Sequence, residues 1–265
     1  MKQPTTNNQS LVTSHQSPIK KLKVLTVVGT RQEMNKLYPQ KLIVTLLKLV
    51  FLQNKLYRLL LVHYFGFMDA RYDEIAKWLE ENNIFFVEDC AHAWVTDLIG
   101  GVCGRRGLFS FYSLHKLLPV VTGGIMVNNT SDGIKINQIN PFFELNYDLF
   151  SISAIRRSNY NYLVTRLLAV EGVEVIYKNL EEGICPQTLP VIVKNYDRTT
   201  LYNKMNEAGF GMVSLYHTMI DNLKDSPYEA PTVLAKKIIN FPIHQDVEKK
   251  DMDAMVDELI RILNA

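Results

Sequence analysis

The sequence predicts an α/β fold, part of a large parallel-sheet domain followed by a smaller α+β unit. Two observations carry this. Between Lys21 and Ala93, apolar β-branched runs alternate with an amphipathic helical pattern, the order that builds parallel βαβ units. Beyond Ser151, helices and single strands alternate in a shorter, more polar segment. The 265 residues, 47% of them hydrophobic, suffice to bury one large core or two modest ones.

Taken in order, residues 1–19 are polar and rich in Gln, Asn, Ser and Thr, with no apolar segment, and read as a disordered leader. Residues 20–55 read as strand, loop and helix. KLKVLTVVGT (Lys21 to Thr30) is a buried strand ending in a Gly-Thr turn, and an irregular apolar helical pattern follows it. Residues 56–150 read as a partial large domain. LYRLLLVHYFG (Leu56 to Gly66) is a buried strand. DARYDEIAKWLEENN (Asp69 to Asn83) is a helix with an acidic start and apolar Ile75, Trp78 and Leu79. IFFVEDCAHA is a strand ending in acid, with Glu88 and Asp89 at the end where parallel sheets bind ligands. GLFSFYSLHK and GGIMVNN read as two further strands turned at Gly123-Gly124. Residues 151–265 form the smaller domain, with helices at Ser151 to Ala169, RTTLYNKMNEAG and Lys249 to Leu263, and a strand at LPVIVK.

Composition excludes several classes of function. A net charge of +2 with 21% charged residues leaves no basic footprint for nucleic acid or an acidic membrane. Lys48, Lys55 and Arg58 interrupt the most apolar stretch, so no uncharged span is long enough to cross a membrane. Cys90, Cys103 and Cys185 are odd in number and widely spaced. They predict neither a disulfide framework nor a structural metal site, and they fit a reducing cytoplasm.

The candidate chemistry lies in three residues: Asp89 at a strand end, His92 one turn later, and Lys116 after the next hairpin. Lys116 stands in the apolar run FSFYSLHKLLPVVTGG, where a long cation is costly unless it is paired, reaches water, or serves as a neutral amine. Pyridoxal phosphate chemistry needs such a set. A deprotonated lysine attacks the cofactor's aldehyde, a carboxylate keeps the pyridine nitrogen protonated, and an imidazole or aromatic packs on or bonds to the ring.

In chain order, VHYFGF, VEDCAHA, GLFSFYSLHK and TGGIMV resemble the DegT/DnrJ/EryC1/StrS family of sugar aminotransferases. RRSNYNYL and IINFPIHQDVEKKDMDAMVDELIRIL are similar to that family's C-terminal part, so the resemblance runs from about Tyr57 to the end. It implies an incomplete large domain of the pyridoxal-phosphate-dependent transferase fold type I, with a smaller α+β C-terminal domain. It also implies amino transfer, from glutamate, to a keto group of a nucleotide-linked sugar in surface polysaccharide or O-antigen biosynthesis, by a cytoplasmic homodimer. By the same resemblance, Lys116 is the lysine bonded to the cofactor, Asp89 the partner of the pyridine nitrogen, and His92 the neighbour of the phenolic oxygen. The family's phosphate-contacting serine falls five residues before the lysine, at Phe111 here, and Ser110 and Ser113 flank it as candidates.

The family's N-terminal part, with its phosphate-holding turn, has no counterpart. In its place KLKVLTVVGTRQEMNKLYP (Lys21 to Pro39) resembles the start of UDP-N-acetylglucosamine 2-epimerases, with Gln32 where that loop has proline. Three readings stand open: an active aminotransferase; a non-catalytic remnant or fusion of two nucleotide-sugar enzyme fragments; or, from residues 21–39, a nucleotide-sugar-binding or epimerase-like protein.

Overall fold

The computed structural model describes residues 24–27, 58–119, 124–129, 147–214 and 233–265. The polar leader, Gly29-Thr30 and most of the stretch resembling an epimerase lie outside these residues. Two sheets organise the described chain.

The larger sheet holds β1 (Val24–Val27), β2 (Arg58–Val62), β3 (Phe86–Asp89), β4 (Phe109–Ser113) and β5 (Gly124–Asn128), side by side in that order. β1 to β4 run parallel and β5 antiparallel. The connection from β3 to β4 is therefore a crossover, not the hairpin expected before Lys116. It carries the short helix α2 (Trp94–Leu98), too brief for its periodicity to be read from sequence. The hairpin is the next one, β4 to β5, and Lys116 lies inside it.

Helix α1 (Tyr72–Glu81) forms as expected. Tyr72, Ala76 and Leu79 recur at helical spacing and are buried against Leu59, Leu61 and Phe86 of β2 and β3. Asp73 and Glu74 sit in its first turn, where the helix dipole favours negative charge.

The smaller unit begins with α3 (Leu149–Leu167), capped by the Asp148 carboxylate, which accepts the Ser151 N–H at 3.0 Å. An antiparallel sheet follows, ordered β6 (Val173–Val175), β7 (Leu189–Val193), β8 (Ile238–Phe241). α4 (Arg198–Glu207) and α5 (Lys249–Leu263) complete the unit. Met252, Met255, Val256, Leu259 and Ile262 recur at three- and four-residue spacing along α5 and enter one core with β7, β8 and α3. No helix among the described residues is long and apolar enough to cross a membrane.

The segment between β2 and α1 joins the two units. Thr96 of α2 donates its hydroxyl to the Gly66 carbonyl at 2.7 Å and accepts the Cys185 N–H at 2.9 Å. Gly66, at φ 90°, packs so closely that an added Cβ would lie 2.2 Å from the Cys185 carbonyl oxygen. Gly66→Ala thus meets both a forbidden backbone region and a fixed backbone atom. It is expected to cost at least about 2 kcal/mol, read as a lower midpoint in urea unfolding.

Candidate active site

β2, β3 and β4 are parallel and end together at Val62, Asp89 and Ser113, the edge where such sheets bind ligands. The loops beyond these ends bring the three expected residues to one place. Lys116 sits in a turn closed by the Leu117 and Leu118 N–H groups, which donate to the Leu114 carbonyl at 3.1 and 2.9 Å. Leu114, Leu117 and Leu118 on either side of it are buried in one apolar cluster. After β3 the chain turns at once, with Ala91 N–H donating to Asp89 Oδ1 at 3.0 Å and Ala93 N–H to the Cys90 carbonyl at 2.9 Å. That turn drives His92 into the interior.

His92 is bonded at both ring nitrogens. Nδ1 accepts the Phe65 N–H at 3.1 Å, and Nε2 lies 2.8 Å from Lys116 Nζ. Burial pushes the imidazole down to about 3, so it is uncharged near neutral pH. Burial also holds the Lys116 amine below its ordinary value, against the opposing pull of Asp89. The Tyr64 and Phe65 rings flank His92 with centroids 6.0 Å away.

The serine candidates fare differently. Ser113 ends β4, with Oγ 3.1 Å from His115 Nδ1. Ser110 does not face the site. The register of β3 and β4 pairs Asp89 with Phe111 and Glu88 with Ser110, so strand alternation places Ser110 on the opposite face from Asp89. Its buried hydroxyl donates to the Gly104 carbonyl at 2.5 Å and accepts from Asn129 Nδ2 at 3.1 Å. The face that carries Asp89 presents Phe111 instead, 42% exposed.

That opposite face holds a residue whose role the sequence did not reveal. Glu88 is fully buried and accepts five hydrogen bonds. Oε2 takes Tyr72 Oη and Gly104 N–H, each at 2.8 Å, and His63 Nε2 at 3.0 Å. Oε1 takes Gly107 N–H at 2.7 Å and Arg106 N–H at 2.9 Å. Burial alone would raise this carboxyl, but the bonds from His63, Gly107, Tyr72 and Arg106 outweigh it and bring it down to about 2. Glu88 thus ties the β3–β4 crossover to α1 and to the loop after β2. His63, Glu88 and Cys90 offer atoms within 4.8 Å of one another. The five donors occupy the carboxylate's lone pairs, so this cluster is a hydrogen-bonded core with no acceptor to spare for an ion.

The residues fit part of a pyridoxal phosphate site: an amine of lowered basicity, an imidazole beside it, and a carboxylate at the adjoining strand end. Ser110 does not fit the phosphate role, and Gly29-Thr30 lies outside the described residues.

Residues 53–140 match the model of the DegT/DnrJ/EryC1/StrS aminotransferase family. No curated protein sequence matches the chain. Among solved structures, the fold is similar to a DegT DnrJ EryC1 StrS aminotransferase from Brucella abortus, with a TM-score of 0.61 and 18% identity over 77% of this chain and 64% of that one. It is similar to Helicobacter pylori PseC, described as an aminotransferase involved in the biosynthesis of pseudoaminic acid, with a TM-score of 0.66 and 13% identity over 82% and 70%. It is also similar to an aminotransferase from Psychrobacter cryohalolentis, with a TM-score of 0.58 and 14% identity over 78% and 68%. The chain therefore spans a little under two thirds of the Brucella protein. Residues 53–140, which include Asp89, His92 and Lys116, match the DegT/DnrJ/EryC1/StrS aminotransferase model, and the described chain has the fold of these solved aminotransferases.

Proposed function

We propose that the chain is a pyridoxal-phosphate-dependent aminotransferase acting on a keto group of a nucleotide-linked sugar, with glutamate as amino donor, in surface polysaccharide biosynthesis. The observation that carries this reading is the meeting of Lys116, His92 and Asp89 at the C-terminal ends of parallel strands. When bound, the cofactor supplies an aldehyde that takes up the amino group and a ring that withdraws electrons. The chain's own residues bind and orient it and move protons. Lys116 Nζ is the covalent anchor and then the base that carries a proton at the reacting carbon. Asp89 holds the ring nitrogen protonated, and His92, buried and uncharged, orients the ring oxygen and Nζ. The resemblance implies a homodimer as the working assembly.

Phe111 favours a second reading, a non-catalytic relative. It occupies the position of the family's phosphate-contacting serine, on the face of Asp89, while Ser110 is committed to the core.

A half-reaction separates the two. Protein loaded with pyridoxal phosphate is mixed with glutamate, and 2-oxoglutarate is quantified without a sugar acceptor. The first reading expects stoichiometric product, absent in Lys116→Ala. The second expects none in either protein.

A further inference from the structure

We infer that the Phe65 backbone amide is a positioning group for Lys116: by donating to His92 Nδ1 it leaves the imidazole proton on Nε2, and His92 then donates to Lys116 Nζ, which must be an uncharged amine to accept. The use of that amine as a nucleophile rests on the proposed function, whereas the tautomer and the ionisation state do not.

The argument is one of donors and acceptors. A neutral imidazole has one N–H and one lone-pair nitrogen. A backbone amide only donates, so the nitrogen it faces, Nδ1 at 3.1 Å, is the acceptor. The ring proton is then on Nε2, 2.8 Å from Nζ. An ammonium has no lone pair, so a charged lysine there would set two donors against each other. A free amine accepts. The reverse arrangement, with an ammonium donating to Nε2, would put a proton on Nδ1 and turn it against the Phe65 N–H.

The amide is held in place from several sides. Phe65 has φ 59° and ψ 15°, the left-handed region that a bulky aromatic residue seldom enters. Its carbonyl accepts the Gln187 N–H at 2.8 Å, just before β7. The Tyr64 carbonyl accepts the Phe67 N–H at 2.9 Å, and Gly66 is wedged against Cys185. The smaller unit therefore braces the peptide that aims at His92, and an unfavourable conformation persists where its surroundings over-determine it. Among the described residues, Lys116 is subject to burial, which disfavours its charge; to Asp89, which favours it; and to His92, whose N–H decides between them.

The test needs no cofactor. The nitrogen NMR spectrum of the His92 ring, in protein with labelled histidine, is expected to show a proton on Nε2 and a bare Nδ1 near neutral pH. The ionisation of Lys116 is followed by its modification with trinitrobenzenesulfonate across pH, quantified by mass spectrometry. His92→Gln keeps the polarity, since its carbonyl can accept from Phe65 while its amide donates to Nζ, and is expected to leave the Lys116 profile in place. His92→Leu is expected to move it up by about one pH unit, about a tenfold loss of reactivity near neutral pH. His92→Glu is expected to move it further, by pairing with the ammonium. If the leucine variant fails to fold, the glutamine and glutamate variants still give the contrast. A proton on Nδ1, or a Lys116 profile indifferent to all three substitutions, would overturn the inference while leaving any cofactor trapping on Lys116 untouched.

Discussion

Glu88→Leu is expected to destabilise the larger domain by about 3–5 kcal/mol, because it strands a buried set of donors with no acceptor. Tyr72, His63 and the N–H groups of Gly104, Arg106 and Gly107 all end on this one carboxylate. A loss of that size is a large part of a typical domain's stability and lowers the melting temperature by roughly 6–20 °C. Glu88→Gln should cost less, since its carbonyl still accepts while its amide meets donors. The same carboxylate gives a pH dependence whose sign is fixed. Its folded value of about 2 lies below the ordinary 4.5, so its contribution is fully present above pH 4.5 and is lost as pH falls from there towards 2. The gap corresponds to roughly 3 kcal/mol. Acid unfolding followed by circular dichroism should show this loss in the native chain, and Glu88→Gln should flatten that part of the curve.

Lys116→Ala is expected to reduce amino transfer by at least about 10²–10⁴-fold, the range that a positioned proton carrier alone supplies. It should also abolish covalent attachment of the cofactor. Stability should change by about 1–2 kcal/mol, because the lysine is half-buried and its removal leaves the buried His92 Nε2–H without that partner. Lys116→Arg replaces the amine with a permanently charged guanidinium that is no nucleophile, and should be as inactive. Thermal melts beside the activity assay separate loss of function from loss of fold.

Much of this architecture is legible in the sequence, where one period dominates. α1 and α5 show helical spacing of their apolar residues, and β2 and β3 are apolar runs too short for helices. The gathering of Asp89, His92 and Lys116 follows from strand ends and chain order. What the sequence conceals depends on strand phase and on convergence from a distance. Adjacent Ser110 and Phe111 exchange faces with a shift of one residue, and only the pairing with β3 fixes which one faces Asp89. Glu88 and Asp89 look alike at a strand end. That one enters the core and the other the site is a matter of alternation, and the donors around Glu88 come from residues 63, 72 and 104–107. The left-handed Phe65 has no signal of its own, because a non-glycine residue is held there by tertiary contacts alone. The three-residue β6 and the five-residue α2 are too short to show a period.

The central claim is that Lys116 is a catalytic amine, and its most direct test is borohydride reduction of the protein mixed with pyridoxal phosphate, followed by digestion and mass mapping. The account expects a visible absorption band that borohydride abolishes, with the cofactor's mass fixed on the peptide containing Lys116. Label absent from that peptide, or spread over surface lysines to the same extent in Lys116→Ala, would contradict it.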